Sequence, residues 1–132
     1  MKLTVSTAFI QITDPEPALA FYRDALGLEV RNDVENGGYR WITVGGASQP
    51  DVSIVLSNYV DGTFEDAEAL AKLLAKGGLN GVHLSTDDLD GLFRRLGTAG
   101  VEIVDEPADQ PWGVRDGAVR DPSGNLIRIN QA

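Results

Sequence analysis

Residues 4–13 open the chain with alternating character. Val5, Ala8, Ile10 and Ile12 are apolar, Thr7 and Gln11 are polar, and Phe9 stands on the polar side. Period two predicts a strand with one packed face. Asp14-Pro15-Glu16 then predicts a helix start: a capping carboxylate, a proline suited to the first helical position and an acid at the positive end of the dipole. Leu19, Phe21, Tyr22 and Leu26 form a helical apolar stripe, and Gly27 ends it. Short strands are predicted over 28–31, 39–44 and 52–57, separated by the turn signals Asn36-Gly37-Gly38 and Gly45-Gly46. Residues 64–76 carry acids early, lysines late and Gly77-Gly78 behind them, which predicts a connecting helix.

The order then recurs. A strand over 79–86 precedes a helix capped by Asp87 or Asp88 and carrying Leu89, Leu92, Phe93 and Leu96. Gly100 ends that helix, and strands follow over 101–104, 113–120 and 125–130, the last after the turn Asp121-Pro122-Ser123-Gly124. Shifting the chain so that Asp14 falls on Asp87 also lays Leu19 on Leu92 and Gly27 on Gly100. Each half therefore reads β-α-β-β-β, an internal repeat over 4–59 and 79–131 inside one domain of residues 1–132. The class is α+β.

Period two also sorts side chains by face. Ala8, Ile10 and Ile12 oppose Thr7, Phe9 and Gln11. Val52, Ile54 and Leu56 oppose Ser53, Val55 and Ser57. Val82, Leu84 and Thr86 oppose Gly81, His83 and Ser85, and Ile127 and Ile129 oppose Leu126, Arg128 and Asn130. The apolar faces belong under the two capped helices, since leaving a large side chain in water costs about 1.5–3 kcal/mol. The other faces either meet solvent, as antiparallel sheets often do, or line a hollow. Phe9, Val55 and Leu126 favour the hollow, because a merely wet face has little use for them.

Composition narrows the chemistry. The 132 residues include 20 acidic and 11 basic side chains, for a formal charge of −9, with one histidine and no cysteine. The missing cysteines exclude disulfides, thiolate metal sites and cysteine nucleophiles. A single histidine excludes a two-His-one-carboxylate iron triad. The acidic balance argues against nucleic-acid and anionic-membrane partners. No apolar run approaches the roughly 20 residues of a membrane span. The first 14 residues lack the continuous apolar core of a signal peptide, so a cytoplasmic protein is expected.

Two stretches carry a resemblance. Residues 12–28, ITDPEPALAFYRDALGL, and 119–129, VRDPSGNLIRI, resemble the strand-to-helix signature and closing hairpin of the vicinal-oxygen-chelate superfamily. That superfamily includes glyoxalase I, bleomycin-resistance proteins, fosfomycin-resistance enzymes and extradiol dioxygenases. The resemblance implies two βαβββ modules forming a U-shaped half-barrel with helices on its outer face. It also implies a homodimer, and four inward-pointing metal ligands in the metal-dependent members. Carried over by motif, those four positions are Thr7, Val55, Gly81 and Arg128, none a plausible ligand. A slip of two residues reaches Gln11 and His83, at best a two-ligand site. No metal and no cofactor are expected.

Of the remaining candidates, Arg128 is either salt-bridged to an internal carboxylate or a clamp for an anionic or carbonyl-bearing ligand. His83 is either a half-buried strand residue or a ligand contact and general base, the one catalytic candidate. Trp41, Trp112, Tyr39 and Tyr59 are either packing residues or flat walls for an aromatic ligand. Arg115 reaches either the site mouth or solvent, and the acidic run 61–68 reads as a solvated helix start. Phe21, Tyr22 and Phe93 read as core. The predicted ligand surface is Thr7, Phe9, Gln11, Trp41, Ser53, Val55, Ser57, His83, Trp112, Leu126 and Arg128. The resemblance implies a metal-free protein that sequesters a flat polar organic molecule, as in antibiotic resistance. The alternatives are a lyase, isomerase or epimerase using His83, Arg128 or a non-standard metal site, and an interaction scaffold without chemistry.

Overall fold

A computed structural model describes residues 1–132. The elements run β1 Thr7–Gln11, α1 Pro15–Leu19, β2 Glu29–Asn36, β3 Tyr39–Gly45, β4 Ser53–Ser57, α2 Phe64–Ala75, β5 Asn80–Thr86, α3 Leu89–Thr98, β6 Glu102–Asp109, β7 Arg115–Arg120 and β8 Leu126–Gln131. They divide into two compact units, Met1–Ala67 and Glu68–Ala132. Each holds a four-stranded mixed sheet, ordered β1-β4-β3-β2 in the first and β5-β8-β7-β6 in the second. In both, the first strand runs parallel to the last and the others are antiparallel. The repeated β-α-β-β-β order is thus present in three dimensions as one topology built twice. None of the helices is long and apolar enough to cross a membrane.

The first unit follows from local chemistry. Asp14 caps α1 by accepting from the Glu16 amide at 3.3 Å, with Pro15 behind it. The apolar stripe buries Leu19, Phe21 and Tyr22, of which Tyr22 is fully covered and α1 packs on β4. The helix does not stay α-helical to Gly27. Residues Ala20–Ala25 form a π-helical turn. The predicted strand over 28–31 is longer, Glu29–Asn36, because Gly37 and Gly38, with φ of +60° and +83°, make a two-residue turn that pairs Asn36 with Tyr39. The first strand is shorter than the alternation over 4–13, starting at Thr7, with residues 1–6 outside the sheet and exposed.

A register shift between Val30 and Asn32 releases Arg31 from the β2 ladder. Its guanidinium then donates to the Val52 carbonyl at 2.6 Å, Ser53 Oγ at 2.9 Å, the Gly46 carbonyl at 2.9 Å and the Gln49 carbonyl at 3.1 Å, closing the β3–β4 loop. Arg40 is held flat against Asp33 by two bonds of 2.8 Å. Helix α2 has a reciprocal cap. The Thr63 amide donates to Asp66 Oδ2 at 2.9 Å and the Asp66 amide to Thr63 Oγ1 at 3.2 Å, so the acids of the 61–68 run serve the helix start.

In the second unit Asp88, not Asp87, caps α3, accepting from the Gly91 amide at 3.0 Å. Leu89, Phe93 and Leu96 are buried, and α3 packs on β6 and β8 over Ile127 and Ile129. The strand predicted to end at 104 continues to Asp109. The turn before β8 is organised by one buried carboxylate. Asp121 Oδ1 accepts from the amides of Ser123, Gly124 and Asn125 at 3.0, 2.9 and 2.9 Å, and Oδ2 accepts from Asn125 Nδ2 at 2.9 Å. Gly124 has φ +115° and lies against the Leu74 carbonyl, where a Cβ would overlap backbone. The Asp-Pro-Ser-Gly-Asn motif is therefore a folding device that starts β8.

Candidate functional site

The strand β8 reads LIRINQ, and period two sends Ile127 and Ile129 into the core and turns Leu126, Arg128 and Asn130 to the opposite face. The register lays one row across the second sheet: His83 beside Arg128, Arg128 beside Ala118, and Ala118 beside Asp105. Two register shifts in β6 leave Val104, Glu106 and Pro107 outside the ladder; Pro107 has no N–H to contribute to it.

Arg128 is paired with two carboxylates. Nη2 donates to Asp105 Oδ2 at 3.1 Å and Nη1 faces Asp116 Oδ2 at 3.3 Å. Asp116 is buried, its side chain 7% exposed, and its other oxygen accepts from Gln110 Nε2 at 2.8 Å. Of the two readings left open for Arg128, the structure shows internal salt bridges. Above this network the β6–β7 turn is tightened by two backbone bonds, Gln110 amide to Val114 carbonyl at 2.7 Å and Gly113 amide to Gln110 carbonyl at 3.0 Å. That turn carries Trp112, 71% exposed. Trp112, Gln110, Arg128, Asp105, Glu106 and Val104 line a groove of about 680 Å³.

His83 is exposed and has no hydrogen-bond or ion-pair partner, so no carboxylate orients it as a base. Leu126 is half-buried on the same sheet face. Arg115 lines a different hollow. It is tied to Asp90 at 2.8 Å and Asp109 at 3.3 Å, and the hydrogen bond it donates to the Asp90 carboxylate raises its pKa above the ordinary arginine value.

The remaining predicted residues share one face of the first sheet. Phe9 pairs with Val55, Val55 with Thr43, and Gln11 with Ser57, which pairs with Trp41. Phe9 is exposed, Thr7 is exposed and Val55 is buried. Tyr59 stacks at 5.7 Å from Trp41 and meets Tyr39 edge-on at 5.1 Å, so three of the predicted aromatics form one cluster. Two predicted ligand contacts have their hydroxyls engaged within the fold: Ser53 Oγ accepts from Arg31, and buried Ser57 Oγ accepts from the Tyr59 amide at 3.1 Å.

Gly81 departs from the predicted face. A register shift between Asn80 and His83 turns it, and a Cβ there would meet Ile127 Cδ1 at 2.5 Å, on the core side. The family metal does not fit this donor set. Thr7 is a weak donor, Val55 and Gly81 have none, Arg128 is a cation held by two carboxylates, and no group of three or more His, Cys, Asp or Glu could hold an ion. The polar residues that build the groove and are not predicted are Asp105, Glu106, Gln110 and Asp116. Their one signal, the polar run after Val104, is hidden by Pro107, which reads as a strand end.

The comparisons agree with the fold. The crystal structure of UcmS2 superposes with a TM-score of 0.88 at 34% identity, covering 100% of both chains. TnmS3, an antibiotic binding protein from Streptomyces sp. CB03234, superposes at 0.75 with 32% identity, covering 98% of this chain and 96% of its own. The uncharacterized protein YurT of Bacillus subtilis is 30% identical over 131 residues, 99% of each chain. The model of the Glyoxalase/Bleomycin resistance protein/Dioxygenase superfamily matches residues 4–129. A doubled βαβββ topology, both motif stretches and relatives along the full length agree, and the chain belongs to the Glyoxalase/Bleomycin resistance protein/Dioxygenase superfamily.

Proposed function

We propose that this chain binds a small, flat, polar organic molecule by sequestration, in the manner of a bleomycin-resistance protein, without a divalent metal. The observation that carries the reading is the groove beside Arg128. It has an exposed tryptophan on a tight turn, a charged network anchored on buried Asp116 and a volume of about 680 Å³, which lies within the range of small-molecule sites. Trp112 supplies a planar wall, and the cluster of Tyr39, Trp41 and Tyr59 with exposed Phe9 gives the first unit an aromatic surface of its own. The donor set argues against the metal-dependent branch. The likeness to an antibiotic binding protein at 32% identity supports the binding branch.

Isothermal titration calorimetry against a panel of antibiotics and flat aromatic metabolites tests the reading. Saturable binding that weakens at least about tenfold in Trp112→Ala, the loss of one buried aromatic contact, supports it. Binding unaffected in Trp112→Ala refutes the groove as the site. The enzyme reading rests on His83, which is free and adjacent to Arg128 in register. Turnover abolished in His83→Ala while binding survives would favour it. A homodimer and a cytoplasmic location belong to the same proposal, and light scattering would then read two copies of 14.1 kDa.

A further inference from the structure

The groove's charges go further than its shape. This inference rests on the binding reading above and names the class of ligand. Three carboxylates, Asp105, Glu106 and Asp116, line the groove with one guanidinium, Arg128. Asp116 is nine-tenths buried and has both oxygens occupied, one by Gln110 Nε2 at 2.8 Å and one by Arg128 at 3.3 Å. Asp105 occupies the other terminal nitrogen of Arg128 at 3.1 Å, and its side chain is 57% exposed at the groove wall. Glu106 has no ion-pair partner.

We propose that Asp105 is the specificity-determining residue of this groove. It turns a site built around an arginine into one that refuses anions and takes flat molecules that are neutral or cationic and carry hydrogen-bond donors. An exposed ion pair is individually weak, so a ligand carboxylate could displace Asp105 from Nη2. The displaced carboxylate would still lie within a few ångströms, beside Asp116 and Glu106, and the incoming anion would meet a net negative wall. Acceptors outside the Arg128 pairs are open to a ligand: Asp105 Oδ1, the Glu106 carboxylate and Gln110 Oε1, while the donors beside them, on Arg128, already face two carboxylates. A ligand ammonium or hydroxyl meets these groups, and a flat cation also gains from the exposed face of Trp112.

Three probes of one ring size separate charge from shape: 9-aminoacridine, a cation at neutral pH, acridine, and acridine-9-carboxylate. Affinities are read by isothermal titration calorimetry at low salt on the full chain. The expected order is cation first and carboxylate last, with a cation-to-anion ratio of at least about tenfold, the scale of one uncompensated charge a few ångströms away. Asp105→Asn removes the negative charge beside Arg128 Nη2 while keeping an acceptor there, and should shrink that ratio about tenfold, mainly by improving carboxylate binding, with little change for neutral acridine. Carboxylate binding as tight as the cation's in the wild type, or a ratio unchanged in Asp105→Asn, overturns the inference. If that carboxylate binding still depends on Trp112, the binding reading survives. If none of the three binds, the binding reading falls and the inference falls with it.

Discussion

Replacing Asp121 by alanine should unfold this protein more readily than any surface change. The Asp121 carboxylate is 4% exposed and accepts four hydrogen bonds, three from the consecutive amides of Ser123, Gly124 and Asn125 and one from Asn125 Nδ2. Ser123 and Asn125 are themselves buried, at 5% and 2%. A buried donor left without an acceptor costs about 1–3 kcal/mol. The Gly124 amide keeps the Asp121 main-chain carbonyl at 3.1 Å and loses least. Two to three orphaned donors, partly relieved by water entering the vacated space, give a loss of about 3–5 kcal/mol for Asp121→Ala. Asp121→Asn is the control. Its oxygen can still serve the three amides, but its NH2 would face Asn125 Nδ2, donor against donor, for a smaller loss of about 1–2 kcal/mol. Urea unfolding followed by circular dichroism reads both. With a slope of about 2 kcal/mol per molar, the midpoint should fall by about 1.5–2.5 M for alanine and by about 0.5–1 M for asparagine. An alanine variant within about 1 kcal/mol of the wild type, or an asparagine variant as damaged as the alanine one, would refute the role given to this carboxylate.

Arg31→Lys should cost about 2–3 kcal/mol although it keeps the charge, because an ammonium cannot reach four acceptors spread over Gly46, Gln49, Val52 and Ser53; a change below about 0.5 kcal/mol by the same urea assay would remove the loop-closing role. Acid should weaken the Asp33–Arg40 pair. The hydrogen bonds from Arg40 hold the Asp33 carboxyl below its ordinary value of 3.8, so its contribution is fully present above that value and is lost as pH falls through the lower folded value. Because Asp33 is about a third exposed, the wild type should exceed Asp33→Asn by only about 0.5–1 kcal/mol at neutral pH, a difference that is flat down to about pH 5 and shrinks below about pH 4; a difference that grows on acidification contradicts the assignment.

What could be read from residue order and what could not differ for a physical reason. Caps, glycine stops and apolar stripes are local, and Asp14, Pro15, Leu19 and Tyr22 declare the first helix within eight residues. Side-chain alternation likewise sorts buried Ile127 from half-buried Arg128, whereas Ile54 and Val55 are both buried. Strand length is set by the partner strand. Glu29–Asn36 extends because Tyr39–Gly45 lies alongside it, and Glu102–Asp109 runs through Pro107 because register shifts leave that residue outside the ladder. The face of Gly81 was misread because a register shift breaks period two, which no alternation rule can anticipate. The partners of Arg128 were invisible for the same kind of reason. Asp105 stands 23 residues away in sequence, and both Asp105 and Asp116 reach the arginine only through the β8–β7–β6 register.

The two units also show how one backbone can carry two chemistries. Five residues before each helix cap stands Phe9 in the first unit and His83 in the second. Each pairs in parallel with the central strand of its sheet, Phe9 with Val55 and His83 with Arg128. The rows continue as Thr43 and Asn32 in the first sheet, and as Ala118 and Asp105 in the second. The first row is uncharged and presents an aromatic ring with a buried valine behind it. The second holds an arginine, a carboxylate and the sole imidazole. In the first row Phe9 and Val55 offer no donor, and in the second the Arg128 guanidinium stands between the imidazole and the carboxylate, where it repels a divalent ion. Substitutions in the first row should act through apolar contact and ring size, and those in the second through charge.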